Sequence, residues 1–391
     1  MSKRRQAEPI REITIPSTGQ TRWRVTVDAG QHPDGSRRQV TSTHNTMREA
    51  RTALAKVRAD VDRGAYVARD SQTLDQLAAR WLDGRRDVRP VTVEGYRNVL
   101  AGARRRLGHK RVQALSLADV DGLVTWMLAE GGRRGQGLSV RSVSATLVAL
   151  GQVLDLAVSE GLVARNVVRL VKRPRNGERR DPSRWSLAEV ARFRAHALSD
   201  RYSAGWLLAT CGLRRSEVLG LRWSDVDLDA GTVAVRQGRV AVTPTWDDTD
   251  APKSAQSART VPVGVILPGA VDVLRSFRAR QAAERLQLGV PWRPDGLVIV
   301  NEAGEPVRPE WFSDRFRALS REAGVPVIRL HATRHTMADA LAAAGVPPVD
   351  AAALLGHTTA VYLATYARSL SDGMRSAAER LGAAFSQASG D

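Results

Sequence analysis

Hydrophobic and polar positions alternate strictly along Thr21-Arg-Trp-Arg-Val-Thr-Val27, with Trp23, Val25 and Val27 on one face and Arg22 and Arg24 on the other. A period of two marks a half-buried strand. His32-Pro-Asp-Gly-Ser36 predicts a turn, and Arg37-Arg-Gln-Val-Thr-Ser-Thr43 the returning strand. Thr46 and Glu49 then form a capping-box pattern that predicts a helix to about Val61. Residues 11–62 are therefore expected to fold as a small three-stranded sheet followed by a helix, presenting Arg22, Arg24 and Arg37 to a partner.

Over residues 71–170 the apolar period changes to 3.6. Helices are expected to begin near Thr73, Thr92, Ser116 and Ser139, each a residue type that caps free N–H groups. The last carries the stripe Val143, Leu147, Leu150, Leu154 and Val158. Arg104, Arg105 and Arg106, with Lys110 and Arg111, form a basic cluster at a helix end. Arg173 to Arg184 has no apolar period and reads as a basic linker. Beyond it, Ser186 and Glu189 open a helix to about Ala197, a second helix ends near Gly212, and a third runs from about Arg215 to Leu221. A hairpin is expected over Asp225–Arg236, a polar loop over 244–258, and strands at Arg259–Val263 and Leu297–Val300. The expected fold is multidomain and mainly α with small β-sheets, divided into 1–65, a helical 71–172, a linker 173–185 and a mixed α/β region 186–391.

Charge adds a partner to this outline. The net charge is +18, with 14 basic and 8 acidic residues in 1–70, 21 and 11 in 71–185, and 24 and 22 in 186–391. The first two parts look like surfaces for a polyanion, and the last like an ordinary folded domain. Cys211 is the only cysteine, which excludes intrachain disulfides and thiolate zinc sites, and its flanks predict a small buried side chain. No uninterrupted apolar run reaches bilayer-spanning length, and Met1-Ser-Lys-Arg-Arg5 leads into no apolar segment. A cytoplasmic protein without a membrane partner is expected. Lys253 is the only lysine after position 185, among 23 arginines, and lysine can release a proton where arginine cannot.

Four fragments bear on chemistry: Gly212-Leu-Arg-Arg-Ser-Glu217, Lys253, His331-Ala-Thr-Arg-His335, and Gly356-His357 followed nine residues later by Tyr366. Their order resembles the tyrosine recombinases of the phage-integrase family, supported by Leu219-Gly-Leu-Arg-Trp223 and Leu354-Leu-Gly-His357. Thr333 departs from the leucine frequent in that family. The resemblance covers about 185–385, and the regions before it look like arm-binding and core-binding domains. It implies a catalytic set of Arg214, Lys253, His331, Arg334, His357 and Tyr366, with Glu217 and His335 in supporting roles. Tyr362 lies one helical turn before Tyr366, and the family spacing selects Tyr366 as nucleophile.

This chemistry suits the residue types. Two guanidiniums can pair with nonbridging phosphate oxygens, and a phenol with a reference pKa of about 10 needs a base to become a nucleophile. The resemblance gives that role to His331 and makes Lys253 the acid that protonates the departing 5′-oxygen. It implies no metal and no cofactor, the arginines standing where other phosphoryl-transfer enzymes use a cation. Expected partners are double-stranded DNA with core-type and arm-type sites and a homotetramer on that DNA. A directionality factor or host DNA-bending protein would assist. Arg22, Arg24, Arg37, Arg104, Arg105 and Lys110 are the expected DNA contacts. The apolar stretch Ala377–Phe385 is expected to pack on a neighbouring protomer. Integration or excision of a phage or mobile element is the leading role. A resolvase or transposon recombinase, a type IB topoisomerase and a non-catalytic DNA-binding regulator are the alternatives.

Overall fold

The structure, a computed structural model, describes residues 8–31, 37–62, 66–175, 183–243, 246–250 and 258–370, with short helical pieces at 378–379, 381–382 and 385–386. The expected turn at His32–Ser36, the middle of the linker, Lys253 and part of Ala377–Phe385 fall outside the described residues. So do the side chains of Arg37 and Tyr366. The chain forms two compact units, Met1–Arg179 and Arg180–Asp391.

The first unit opens with strands β1 (Ile10–Thr14), β2 (Thr21–Gln31) and β3 (Arg37–His44), antiparallel in the order β1-β2-β3. Val25 and Val27 turn inward onto Ala50 of helix α1 (Met47–Asp62), and Arg24 faces out. The cap of α1 is offset from the expected box. Thr46 Oγ1 accepts the Glu49 N–H at 3.2 Å, but Glu49 Oε2 accepts from the backbone of Asn45, not Thr46.

Helices α2 (Leu74–Asp83), α3 (Pro90–Leu107), α4 (Leu117–Glu130) and α5 (Val140–Ser159) follow, packed around Leu77, Leu100, Leu123 and Leu147. Thr73, Ser116 and Ser139 cap α2, α4 and α5 as expected. Thr92 does not cap α3. Pro90 takes the first helical position, where its fixed φ and missing N–H cost nothing, so the N-cap falls on Arg89. The stripe on α5 also ends differently. Val158 is 38% exposed, and Ala157 continues the buried face after Leu154, three residues on rather than four. By length and composition the 20-residue α5 is apolar enough to cross a membrane, with a mean hydropathy of 1.5 over an 18-residue window. An uninterrupted-run criterion passes over it because Arg141 and Asp155 break the run. Half of that stretch is buried inside the unit, as in the core helix of a helical domain.

The second unit starts with α6 (Leu187–Ala197), capped by the Ser186–Glu189 box, then α7 (Ser203–Thr210) and α8 (Arg215–Gly220). Strands β4 (Val226–Asp227), β5 (Thr232–Val235), β6 (Gly238–Thr243), β7 (Trp246–Asp250) and β8 (Arg259–Val261) make a sheet in the order β4-β5-β8 and a β6-β7 ribbon. Part of the expected loop 244–258 is therefore strand. The acidic run Trp246-Asp-Asp-Thr-Asp250 has little strand propensity and is held by ladder pairing to β6. β8 stops at Val261, because Pro262 offers no N–H to the ladder, and α9 (Val263–Ile266) begins at once. Leu297–Val300 is not a strand. It makes two isolated bridges, Arg222 with Leu297 and Val300 with Pro306, while Val298, Ile299 and Val300 are buried. The chain continues through α10 (Ala270–Gln287), α11 (Pro309–Glu322), α12 (Ala332–Ala343), α13 (Pro348–Leu355) and α14 (Thr359–Leu370). Trp206 stacks on Phe312 with ring centroids 4.0 Å apart, and Cys211 is buried beside them in the same cluster.

Candidate active site

Gly212 and Gly356 shape the backbone of the site. Gly212 has φ +93°, and a Cβ there would lie 2.9 Å from Leu355 Cδ2, so the loop ending α7 can pass against the end of α13 only as glycine. Gly356 ends α13 in the left-handed conformation, φ +62°, the common glycine stop for a helix.

Arg214 is the N-cap of α8, and Glu217 one turn later holds it twice. Glu217 Oε2 accepts the Arg214 backbone N–H at 2.8 Å, and Oε1 accepts Nη1 at 2.6 Å. Arg214 Nη2 donates to the Gly356 carbonyl at 2.7 Å. Glu217 is only 6% exposed. Burial pushes its pKa up, but hydrogen bonds and charge from Arg259 and Arg214 prevail and hold it down at about 2.

Arg334, in the first turn of α12, is wholly buried. Its Nη1 donates to the Gly212 carbonyl at 2.8 Å and its Nη2 to the Leu355 carbonyl. Arg259, first residue of β8, donates through Nε to the Leu354 carbonyl at 2.7 Å, and through Nη1 and Nη2 to Glu217 at 3.2 and 3.0 Å. Three successive carbonyls at the end of α13 thus receive three guanidiniums from three separate segments. The C-terminal end of a helix carries partial negative charge and favours cations there.

His331 precedes α12, with its ring 5.1 Å from that of His335. Burial first, and then the charges of His335, Arg334 and Arg214, push its pKa down to about 4. Burial and the charges of Arg334 and Arg214 push His357 down to about 3. Both imidazoles are therefore neutral near pH 7, each offering one donor and one acceptor nitrogen. Thr333, the departure from the family's leucine, is buried and bonds the Ala209 and Leu330 carbonyls at 3.0 and 2.7 Å, fastening α12 to the end of α7.

The two tyrosines of α14 differ. Tyr362 is 1% exposed and donates its hydroxyl to the Ala338 carbonyl at 3.2 Å. Burial raises its pKa and disfavours the phenolate. Tyr366 lies one turn further along the same helix. Beside Arg214 and His331 opens a cleft of about 930 Å³, lined also by Arg215, Ser216, Arg317 and Arg329. Among the described residues no group of three or more His, Cys, Asp or Glu could hold a metal ion.

The expected DNA contacts are unevenly available. Arg24 is exposed, and Arg22 donates to Gln20 at 2.8 Å. Arg104 is paired with Asp75 at 2.7 Å, and Lys110 with Asp119, whose pKa falls to about 2 through that hydrogen bond. Arg105 lies over the Trp126 ring at 5.4 Å. Two members of this cluster thus tie helix ends together. Arg259 is the residue that sequence reasoning missed. Its signal was an arginine opening a strand whose last residue, Val261, feeds the core.

The Phage integrase family model matches residues 186–372, which hold every catalytic candidate. That stretch of the chain is a phage-integrase domain, of the kind found in tyrosine-type site-specific recombinases. A family relative, a XerC-like tyrosine recombinase of Caldanaerobacter subterraneus subsp. tengcongensis, is 26% identical over 363 residues, 87% of this chain and 90% of the relative. The ICEBs1 integrase of Bacillus subtilis is 27% identical over 56% of this chain and 59% of its own length. Among solved structures, a Tn1549 transposon integrase bound to transposon right-end DNA has the same fold, with a TM-score of 0.64 at 22% identity. It covers 79% of this chain and 99% of its own. A lambda integrase dimer on a core site extends the likeness to 93% of this chain and 96% of its own, with a TM-score of 0.54 at 15% identity.

Proposed function

We propose that this recombinase is the integrase of a phage or other mobile element, joining and excising DNA through a 3′-phosphotyrosyl link at Tyr366. The observation that carries this reading is the pair Arg214 and Arg334, anchored on adjacent carbonyls of the turn that leads into the Tyr366 helix. Such fixed donors can stabilise the charge that gathers on nonbridging oxygens during in-line attack.

In this mechanism the Tyr366 oxygen bonds to phosphorus as the bond to the 5′-oxygen breaks. His331, neutral before DNA arrives, takes the phenol proton, and the phosphate's negative charge makes it a better base. Lys253 delivers a proton to the departing 5′-oxygen, and His357 donates a further hydrogen bond to the phosphate. A 5′-hydroxyl from a partner strand then reverses the steps, so the phosphodiester is rebuilt without ATP. Two duplexes require four cuts, which calls for four protomers. Residues 1–65 would bind arm-type sites through the outward face of β2, residues 71–172 core-type DNA, and accessory proteins would set direction. The likeness to a XerC-like recombinase over most of the chain favours a second reading, resolution of multimeric DNA by the same chemistry.

A nicked duplex bearing the core site tests the proposal. The protein should become attached to a DNA 3′ end, and peptide mass spectrometry should place the link on Tyr366. A link elsewhere, or none on any core-site substrate, would refute it. Recombination between two element ends rather than between identical chromosomal sites would separate integrase from resolvase.

A further inference from the structure

Glu217 presents an electrostatic difficulty. A buried carboxylate 2.6 Å from Nη1 of Arg214 orients that guanidinium, but also offsets its positive charge. An isolated Arg214–Glu217 pair would present a phosphate with a net charge of zero. Arg259 alters this balance. It bonds both carboxylate oxygens, and its side chain is only 7% exposed against 28% for Arg214. The group of three carries +1, and the member nearer solvent is Arg214.

We propose that Arg259 is a positioning residue that neutralises Glu217, so that the carboxylate can aim Arg214 without cancelling its charge towards the scissile phosphate. This rests on the reading of Arg214 as a phosphate-binding residue. The arrangement also explains the third bond of Arg259. Its Nε on the Leu354 carbonyl holds the guanidinium against Glu217, and the residues lining the cleft include Arg214 and not Arg259. A Cβ on Gly356 would stand 2.7 Å from Arg259 Nη1, so the glycine that stops α13 also leaves room for this guanidinium. Arg259 itself touches no reacting atom. It acts through Glu217, and its effect should scale with the charge on the substrate.

The test compares a normal phosphodiester with a methylphosphonate at the scissile position, in which a methyl group replaces one nonbridging oxygen and leaves the linkage uncharged. Single-turnover formation of the covalent complex is measured with the full-length protein. Arg259→Gln should slow cleavage of the phosphodiester by about ten- to a hundredfold, the usual scale for a supporting partner. On the methylphosphonate the same variant should fall much less. Adding Glu217→Gln removes the charge that Arg259 offsets, so the double variant should cleave the phosphodiester faster than Arg259→Gln alone. A merely structural role predicts equal losses on both substrates and a double variant no better than the single, and that pattern would overturn the proposal. Full activity of Arg259→Gln would overturn it too. Failure of the unaltered protein to cleave either substrate would instead overturn the recombinase reading, and this inference with it.

Discussion

Replacing Tyr362 with phenylalanine removes one hydroxyl from a site that is 1% exposed, and with it the 3.2 Å bond to the Ala338 carbonyl. The ring remains, so no cavity opens, and Ala338 lies inside α12, where its carbonyl keeps helical partners. The loss is that of a single neutral hydrogen bond, about 1 kcal/mol. For a unit the size of residues 180–391 this corresponds to a fall in Tm of about 2–4 °C. Covalent complex formation on a nicked core-site duplex should continue at a rate close to that of the unaltered protein. Tyr366→Phe should do the opposite and abolish the covalent complex. Calorimetry and gel separation of protein–DNA adducts read the two effects independently. An inactive Tyr362→Phe beside an active Tyr366→Phe would refute the assignment of the nucleophile and the mechanism built on it.

Lys253→Ala should slow cleavage of a normal phosphodiester by about a hundred- to ten-thousandfold. It should cleave a bridging 5′-phosphorothiolate nearly as fast as the unaltered protein, since a thiolate leaves without protonation; equal defects on both would exclude the general-acid role. Deleting residues 1–65 should abolish arm-site binding in a gel-shift assay and spare cleavage of core-site substrates, and undiminished arm binding would refute the division of labour. The depressed pKa values of His331 and His357, about 4 and about 3, mean that the folded protein binds fewer protons than the unfolded chain below about pH 6.5. Stability without DNA should therefore be full above pH 6.5 and fall as the pH drops towards 4. Denaturant midpoints unchanged between pH 7 and 5 would contradict this.

Much of this architecture could be read in advance because its signals are local. Thr73, Ser116, Ser139 and Ser186 each stop a chain segment by bonding N–H groups within three residues, so their sequence pattern contains the physics. Thr92 failed as a cap because Pro90 competes for the same turn. β7 was invisible because its aspartates carry no strand preference, and only the pairing with β6 makes it a strand. The catalytic candidates and the supporting Glu217 were legible through order and spacing, but the partner of Glu217, Arg259, was not. Arg259 and Glu217 lie 42 positions apart, and a buried ion pair leaves no periodicity in either neighbourhood. The basic cluster at Arg104–Lys110 holds pairings that its sequence does not announce. Composition counts charges, whereas Asp75 and Asp119 had already engaged two of them.

Each of the three arginines has one anchor on a main-chain carbonyl at the end of α13, a fact with consequences for how this sequence can drift. Every residue type except at its own side chain supplies the same carbonyl, so mutation at Leu354 or Leu355 cannot delete an acceptor. Leu355, 1% exposed, is then answerable only for volume and apolar character, and half-buried Leu354 for less. Gly356 is different, because both its left-handed backbone and its missing Cβ are in use. A saturation library across this turn should tolerate conservative exchanges at 354 and 355 and reject nearly everything at 356. Lineages could then diverge widely around the site while inheriting its geometry through the peptide backbone, with Gly356 and Gly212 as the positions that cannot wander.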